Sequence, residues 1–141
     1  MFKKKGNCST IKDVIKRNHP DINDFLFPEK EPEIKNLREA ADYLKKLTTE
    51  DPECLVTIVG DYDVDGIHAV TIMVKMLYAY GLVPSVRIPH RISEGYGLSE
   101  KIIDEIPSGL VITVDNGIAA IDAIKKAKEK GLHVIIIDNH L

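Results

Sequence analysis

The sequence predicts an α/β protein in which a doubly wound parallel sheet carries helices on both faces, preceded by a short helical segment. From Cys54 onward, short runs of apolar and β-branched residues alternate with stretches of helical character. The runs are apolar at nearly every position, which is typical of strands buried on both faces of a parallel sheet. The 141 residues, 44% of them hydrophobic, suffice for one domain with a single core.

Residues 1–52 have a different residue pattern, which predicts a helical lead-in segment. The first helix is expected in STIKDVIKRN, where Ser9 or Thr10 is a suitable N-cap. The second is predicted from apolar residues that recur at helical spacing, namely Ile34, Leu37, Ala41 and Leu44. Between the two helices we expect an irregular connector that packs the apolar residues 25–27.

The α/β part is predicted to occupy residues 53–141. Its predicted strands cover residues 54–60, 84–89, 109–115 and 133–138. The helices between them are predicted over residues 67–80, 99–106 and 118–131. Ser99 is the expected N-cap of the second of these helices. The first is apolar nearly all round, and we therefore expect it to be well buried.

Charge and composition exclude several classes of protein. The net charge of −3 and a pI near 5.9 exclude a basic field over the whole molecule that would grip nucleic acid. The only cysteines, Cys8 and Cys54, cannot form a disulfide framework, which favours a reducing, cytoplasmic location. The basic start lacks the apolar run of a signal peptide, and no run is suited to span a membrane.

Acidic residues follow three of the four predicted strands. They are Asp61, Asp63 and Asp65 after the first strand, Asp115 after the third, and Asp138 with Asn139 and His140 after the fourth. Parallel sheets bind ligands at the carboxyl ends of their strands. In an extended segment alternate side chains project to the same side, so we expect the first three aspartates to converge. Carboxylates this close repel one another, and a divalent cation would offset their charge. The pattern therefore predicts a metal site.

The first aspartate cluster has other interpretations. An EF-hand loop counted from Asp61 would need Glu at its twelfth position, where Ile72 stands, so this class is excluded. A solvated turn is the simplest structural alternative. DVDGI also resembles the phosphatases of the haloacid dehalogenase superfamily, but Lys125 and Lys126 lie inside a predicted helix instead of a loop. That alternative also leaves Asp61 unexplained, yet it stays open.

Four motifs occur in an order that resembles the DHH phosphoesterase family, and within it the RecJ-type exonucleases. The motifs are GDYDVDG, RISEGYGL, ITVDNGI and VIIIDNHL. The match runs from about Leu55 to Leu141, and the stretch before it looks like the lead-in segment of these exonucleases. The family's parallel α/β sheet agrees with the fold predicted from the residue pattern.

The resemblance implies a hydrolase that uses two Mn²⁺ or Mg²⁺ ions to cut single-stranded DNA from its 5′ end, in DNA repair or recombination. The metal ligands that it implies are Asp61, Asp63, Asp65, Asp115 and Asn139. The catalytic residues that it implies are Asp63, Asp65, Asp115 and His140. The implied substrate-binding residues are Arg91, Gly66, Gly117 and His140. The two glycines are expected to precede helices, where backbone N–H groups can meet a phosphate. Tyr96 is expected to serve packing.

Two departures from the family pattern bear on activity. Asn139 stands where the family has histidine, and its carbonyl oxygen is a weaker ligand than imidazole. The chain also stops at Leu141, ahead of the family's fourth motif and its carboxy-terminal domain, so we expect this chain alone to be weakly active or inactive. Two further alternatives stay open: a non-catalytic binding module of the same fold, and a DHH phosphodiesterase of short oligonucleotides or cyclic dinucleotides.

Overall fold

The computed structural model describes residues 10–19 and 33–140, which fall in two compact units. One unit runs from Met1 to Leu37 and contains helix α1, Ile11–Asn18. Thr10 caps this helix: its hydroxyl accepts the N–H of Asp13, whose carboxylate accepts the N–H of Thr10 in return. The predicted N-cap is thus confirmed. The predicted connector around residues 25–27 lies outside the described residues.

The second unit, Arg38–Leu141, contains a parallel sheet with the order β2-β1-β3-β4. The strands are β1 Val56–Val59, β2 Ser85–Arg87, β3 Leu110–Val114 and β4 His133–Ile137. The helices are α2 Leu37–Glu50, α3 Val64–Ala79, α4 Glu100–Glu105 and α5 Ile121–Glu129. The α/β class is confirmed, and so is Ser99 as the N-cap of α4. None of the described helices is both long and apolar enough to traverse a lipid bilayer.

The sheet is covered by helices on both faces, as predicted. Along the central strand β3, Val111 packs in a cluster with residues of α4 and α5. Its neighbours Leu110 and Ile112 belong to a second cluster with residues of α3, against which α2 also packs. All five residues of β3 are buried. Burial of each large aliphatic side chain stabilises the fold by about 1.5–3 kcal/mol, so both helical layers hold the sheet in place.

Helix α2 differs from its prediction in start and in packing. It begins at Leu37 because Asn36 adopts a left-handed φ of 58° and ends the preceding turn. Ile34 is therefore outside the helix and exposed. The residues that pack on the sheet cluster are Ala40, Leu44 and Leu47. Leu44 was predicted for this face, whereas Ala41 is exposed and Ala40 takes its place. The predicted lead-in of residues 1–52 is thus divided between the two units.

Helix α3 begins at Val64, earlier than the predicted range of residues 67–80. The reason is a cap: Oδ1 of Asp63 accepts the N–H of Gly66 at 2.9 Å. Its buried residues are Gly66, Val70 and Leu77. The prediction of a well-buried helix is wrong, since Ile72, for example, is 68% exposed. The helix touches the sheet along one face only, and an apolar sequence all round cannot show which face that is.

An ion-pair cluster at the end of β2 holds the loop of residues 88–98. The guanidinium of Arg87 donates to both carboxylate oxygens of Glu94, and its Nε donates to Oε2 of Glu105 at 2.8 Å. Glu94 also accepts the backbone N–H of His90 at 2.8 Å. The hydrogen bonds from Arg87, with the one from His90, lower the pKa of Glu94 to about 2. The base of the loop is therefore fixed to the sheet by an ionised carboxylate.

The turn before β3 requires a glycine. Gly109 has a φ of 96°, and a Cβ placed on it would lie 2.1 Å from the carbonyl oxygen of Leu55. The same carbonyl accepts the N–H of Leu110 at 2.8 Å. The turn therefore brings two backbones closer than any side chain permits.

We expect Gly109→Ala to destabilise the protein more than Gly81→Ala. Gly81 also has a left-handed φ, of 80°, but nothing lies within 4 Å of a Cβ built there. Gly81→Ala should lose only about 1–2 kcal/mol, from the left-handed backbone. Gly109→Ala must in addition push the Leu55 backbone away. Urea denaturation followed by circular dichroism measures both losses, and equal losses would contradict the steric argument.

The Glu94 ion pair predicts a pH-dependent contribution to stability. Because the pKa of Glu94 is lower in the folded state than its ordinary value of 4.5, its contribution is present above pH 4.5. It is lost as the pH falls toward about 2. Glu94→Gln should therefore lower the melting temperature at pH 7, and its difference from wild type should shrink between these two pH values.

Glu53→Gln is the control, because the Glu53 side chain has no partner among the described residues and lies at the other end of β1. A difference between wild type and Glu94→Gln that stays constant from pH 7 down to about pH 2 would show that the ion pair does not stabilise the fold.

Candidate metal centre

Asp61 lies two residues after the end of β1 and is only 1% exposed. Its Oδ1 atom is buried and has no hydrogen-bond partner among the described residues. Helix α3 comes unusually close at this point, because a Cβ on Gly66 would lie 2.7 Å from the Asp61 carbonyl oxygen. An ionisable oxygen buried without a partner is costly, and a cation is the kind of partner that would satisfy it.

Asp63 and Asp65 lie at the amino-terminal end of α3, and both are exposed. The extended segment expected here is absent, so the predicted alternation of the three aspartates is wrong. Asp63 is the N-cap and Asp65 sits in the first turn of the helix. Negatively charged side chains are favourable at this end of a helix, where the backbone carries a partial positive charge.

The two glycines expected to bind phosphate differ from the prediction in their local structure. Gly66 lies inside α3, and its N–H already donates to Asp63, so it is not free to meet a phosphate as expected. Gly117 does not lie at a helix terminus either, because α5 begins only at Ile121. It has a φ of 115°, and a Cβ there would lie 2.5 Å from Oγ1 of Thr113. Gly66 therefore permits a close approach to the Asp61 backbone, and Gly117 leaves room for the Thr113 side chain.

Asp115 holds a strained backbone conformation at the end of β3. Its φ is +60°, which costs a residue with a side chain about 1–2 kcal/mol. Two hydrogen bonds support it. Its N–H donates to the carbonyl of Ile137 at 2.8 Å, and its own carbonyl accepts the hydroxyl of Tyr96 at 2.9 Å. Non-glycine residues with such backbone conformations cluster at functional sites, where the surrounding structure over-determines them.

The negative charges of the other acidic turns act on the side chain of Asp115. Burial raises its pKa above the ordinary value, and the carboxylates of Asp63, Asp65 and Asp138 raise it further. The ring of His140 acts in the opposite direction. The four aspartates come from three different strand ends, so the structure brings the predicted turns into one electrostatic field.

Asn116 joins three segments at this edge of the sheet. Its side chain is fully buried. Nδ2 donates to the carbonyls of Val59 at 3.1 Å and Val114 at 2.9 Å, and Oδ1 accepts the N–H of Leu98 at 3.0 Å. Sequence reasoning assigned Asn116 no role of its own, because two of its partners are remote along the chain. Its position close behind a buried strand was the one available signal.

Asp138 and His140 form a pair after β4. Oδ1 of Asp138 lies 2.6 Å from Nδ1 of His140, and Oδ2 accepts the N–H of Ile118 at 2.9 Å. Burial opposes ionisation of Asp138, but the hydrogen bonds from Ile118 and His140 outweigh it and lower its pKa. The hydrogen bond to Asp138 raises the pKa of His140. Because an ionised carboxylate can only accept, Nδ1 of His140 is the donor in this contact. Asn139 is exposed and has no hydrogen-bond partner among the described residues.

Aromatic rings line the side of the site formed by the 88–98 loop. Tyr96 meets the rings of Tyr62 and His140 edge-on, with centroids 6.4 and 5.9 Å apart. The guanidinium of Arg91 lies 5.3 Å above the centre of the Tyr62 ring. Arg91 makes no ion pair with any described carboxylate, so its charge is open to a ligand. Tyr96 packs, as expected, and also supports the Asp115 carbonyl.

The donor set fits a divalent cation in chemistry and charge. Carboxylate and amide oxygens are ligands that Mg²⁺ and Mn²⁺ accept, and the orphaned oxygen of Asp61 supplies a buried acceptor. Within residues 10–19 and 33–140, however, no three His, Cys, Asp or Glu side chains lie close enough to enclose an ion. The carboxylates share one edge of the sheet without forming a closed ligand shell.

The chain is similar to known proteins. Residues 55–141 match the N-terminal domain of the DHH family. The single-stranded-DNA-specific exonuclease RecJ of Bacillus subtilis (strain 168) is 40% identical over 111 residues, which is 77% of this chain and 14% of that protein. RecJ of Thermus thermophilus is 38% identical over 109 residues, 76% of this chain and 16% of that protein. The chain thus spans only about one-seventh of the length of these relatives.

Two solved structures are also similar. One is exonuclease RecJ bound to manganese, with a TM-score of 0.71 and 34% identity over 81% of this chain and 30% of the other. The second is RecJ from Thermus thermophilus in complex with Mn²⁺, with a TM-score of 0.66 and 26% identity over 92% of this chain and 19% of the other. The dehalogenase alternative is therefore excluded. With its parallel sheet, its acidic strand ends and a match that covers residues 55–141, the chain belongs to the DHH family.

Proposed function

We propose that this protein takes part in divalent-metal-dependent hydrolysis of phosphodiesters, as an exonuclease that degrades single-stranded DNA from the 5′ end. The relatives named above are exonucleases specific for single-stranded DNA, and two related structures hold manganese. The observation that carries the proposal is the gathering of aspartates from three strand ends at one edge of the sheet, where burial, and after it the neighbouring carboxylates, raise the pKa of Asp115. A site with this surplus of negative charge is suited to bind cations.

The residues that would hold the metal ions are those that the family pattern implies: Asp61, Asp63, Asp65, Asp115 and Asn139. Bound Mn²⁺ or Mg²⁺ would supply an activated water and stabilise the charge of the leaving oxygen. In this chain Asp61 offers a buried oxygen without a partner, whereas Asp63 offers the oxygen left free by its helix cap. Asn139 offers only an exposed amide, so it is the weakest member of this set.

His140 is proposed to act on the substrate. Asp138 holds the Nδ1 side of the ring and raises its pKa, so the imidazole keeps its positive charge to higher pH. The side chain is half-exposed, which leaves Nε2 accessible from solvent. A protonated Nε2 at this place can donate to a phosphate oxygen or protonate the leaving group. Asp138 thereby orients the ring and fixes its protonation.

Arg91 is proposed to bind a backbone phosphate of the strand. The guanidinium is exposed and is held over the Tyr62 ring at the rim of the acidic edge. We further propose that the setting is DNA repair or recombination in the cytoplasm.

Metal binding predicts a rise in melting temperature on addition of Mn²⁺. At a free concentration of about 100 times Kd, binding to the native state alone adds about 2.7 kcal/mol of stability. Asp63→Asn and Asp115→Asn should each reduce the shift sharply. Asparagine keeps the helix cap at position 63 and tolerates the left-handed backbone at position 115, so both variants should still fold.

Asp51→Asn is the matched control, because Asp51 precedes the amino end of β1, away from the acidic edge. It should leave the Mn²⁺ shift unchanged. A wild-type protein that shows no shift up to millimolar Mn²⁺ would contradict the proposal and favour a binding module without metal.

Loss of the His140 imidazole should slow hydrolysis while leaving metal binding intact. Removal of a general acid lowers kcat by about 10²–10⁴-fold. We expect this loss for His140→Ala when Mn²⁺-dependent release of mononucleotides is followed on 5′-labelled single-stranded DNA, with blunt duplex as the control substrate. His133→Ala, at the opposite end of β4, is the matched variant and should retain the rate. Equal rates for wild type and His140→Ala, both above the rate measured without Mn²⁺, would exclude a catalytic role for His140.

A further inference from the structure

We propose that Asn116 is a positioning residue for the metal centre: its buried amide fixes the backbone at Asp115 and ties the 88–98 loop to the strand ends. Through these bonds it sets the direction in which the Asp115 carboxylate points. This inference rests on the proposed function, because it assumes that the acidic edge binds a divalent cation.

The hydrogen-bond partners of the Asn116 side chain require both the donors and the acceptor of an amide. The side chain offers two N–H donors and one acceptor oxygen, and all of them are used. The two carbonyls that it satisfies belong to Val59 and Val114, the last residues of β1 and β3. Aspartate has the same shape but would present only acceptors to these carbonyls, and alanine would leave both without this donor.

The neighbouring backbone needs this support. Asp115 stands between Val114 and Asn116 with a φ of +60°. A residue in this region keeps its conformation only where the surroundings over-determine it. The bond from Asn116 to Val114 fixes the chain before Asp115. The Tyr96 hydroxyl holds the Asp115 carbonyl itself.

The second support depends on Asn116 as well. Leu98, two residues beyond Tyr96, donates its N–H to the Asn116 side chain. Gly97 lets the loop come this close, because a Cβ on it would lie 2.9 Å from Cβ of Asn116. Loss of the amide therefore releases the loop that carries Tyr96. The Asn116 side chain thus fixes both the end of β3 that precedes Asp115 and the 88–98 loop that supports the Asp115 carbonyl.

The test compares Asn116→Ala and Asn116→Asp with wild type by the electron paramagnetic resonance signal of free Mn²⁺. Substitution of a residue that orients a ligand weakens metal binding by about 10–100-fold, and we expect this loss in both variants. Asn116→Asp is the sharper of the two. It adds a negative charge near the site, so electrostatics alone would tighten Mn²⁺ binding, whereas loss of both donors should weaken it.

Leu132→Ala is the matched destabilised control. Leu132 is buried just before β4, at the end of the sheet opposite the acidic residues. Its loss leaves a cavity and lowers stability without touching the site. It should keep the wild-type affinity for Mn²⁺. Wild-type affinity in both Asn116 variants, or an equal loss in Leu132→Ala at matched stability, would overturn the proposal.

Amide hydrogen exchange without metal separates this inference from the proposed function. In Asn116→Asp the amides of Leu98 and Asp115 should exchange faster than in wild type, whereas the amides of α5 should not. If wild type binds no Mn²⁺ but this pattern is found, the metal-dependent function fails and the positioning role of Asn116 stands. Unchanged exchange at both amides would overturn the positioning role itself.

Discussion

The parallel pairing of β1, β3 and β4 is the constraint on which the whole site depends. Thr113 of β3 pairs with Val59 of β1, and Val114 pairs with Ile137 of β4, so the three strands end at nearly the same level. Parallel strands all present their carboxyl ends to one edge. Each of these strands is followed by an acidic turn, and the pairing therefore gathers charges that lie far apart along the chain.

The gathered aspartates do not behave alike, and hydrogen bonds explain the difference. The side chain of Asp138 is buried, but it accepts hydrogen bonds from Ile118 and His140, and these lower its pKa. The pKa of Asp115 is raised by burial and then by neighbouring negative charges, and the carboxyl has few compensating groups. The carboxylate of Asp138 is thus satisfied by hydrogen bonds within the protein, whereas the carboxyl of Asp115 is left to interact with an external positive charge. This division suits an organising role for Asp138 and a ligand role for Asp115.

Sequence reasoning could predict the elements of the fold and the edge at which the acids meet. Apolar runs define the strands, and local caps such as Thr10 and Ser99 mark helix starts. The start of α3 was missed because Asp63 caps a helix within the motif that looked extended. The role of Asn116 was beyond reach, since its amide bonds to Val59, 57 positions earlier. Such contacts depend on tertiary pairing, about which local periodicity carries no information.

The strand order has a consequence for the time course of folding. Among the described strands no pair is joined by a hairpin, and each pairing closes a long loop through a helix. Even the outer helix α2 reaches across the sheet, where Tyr43 hydrogen-bonds to His133, 90 positions away. Topologies with such distant partners fold slowly, because chain entropy is lost before contacts are gained. During synthesis the acidic segments therefore remain separated, and their mutual repulsion reaches its full strength only once the last strand, β4, has docked.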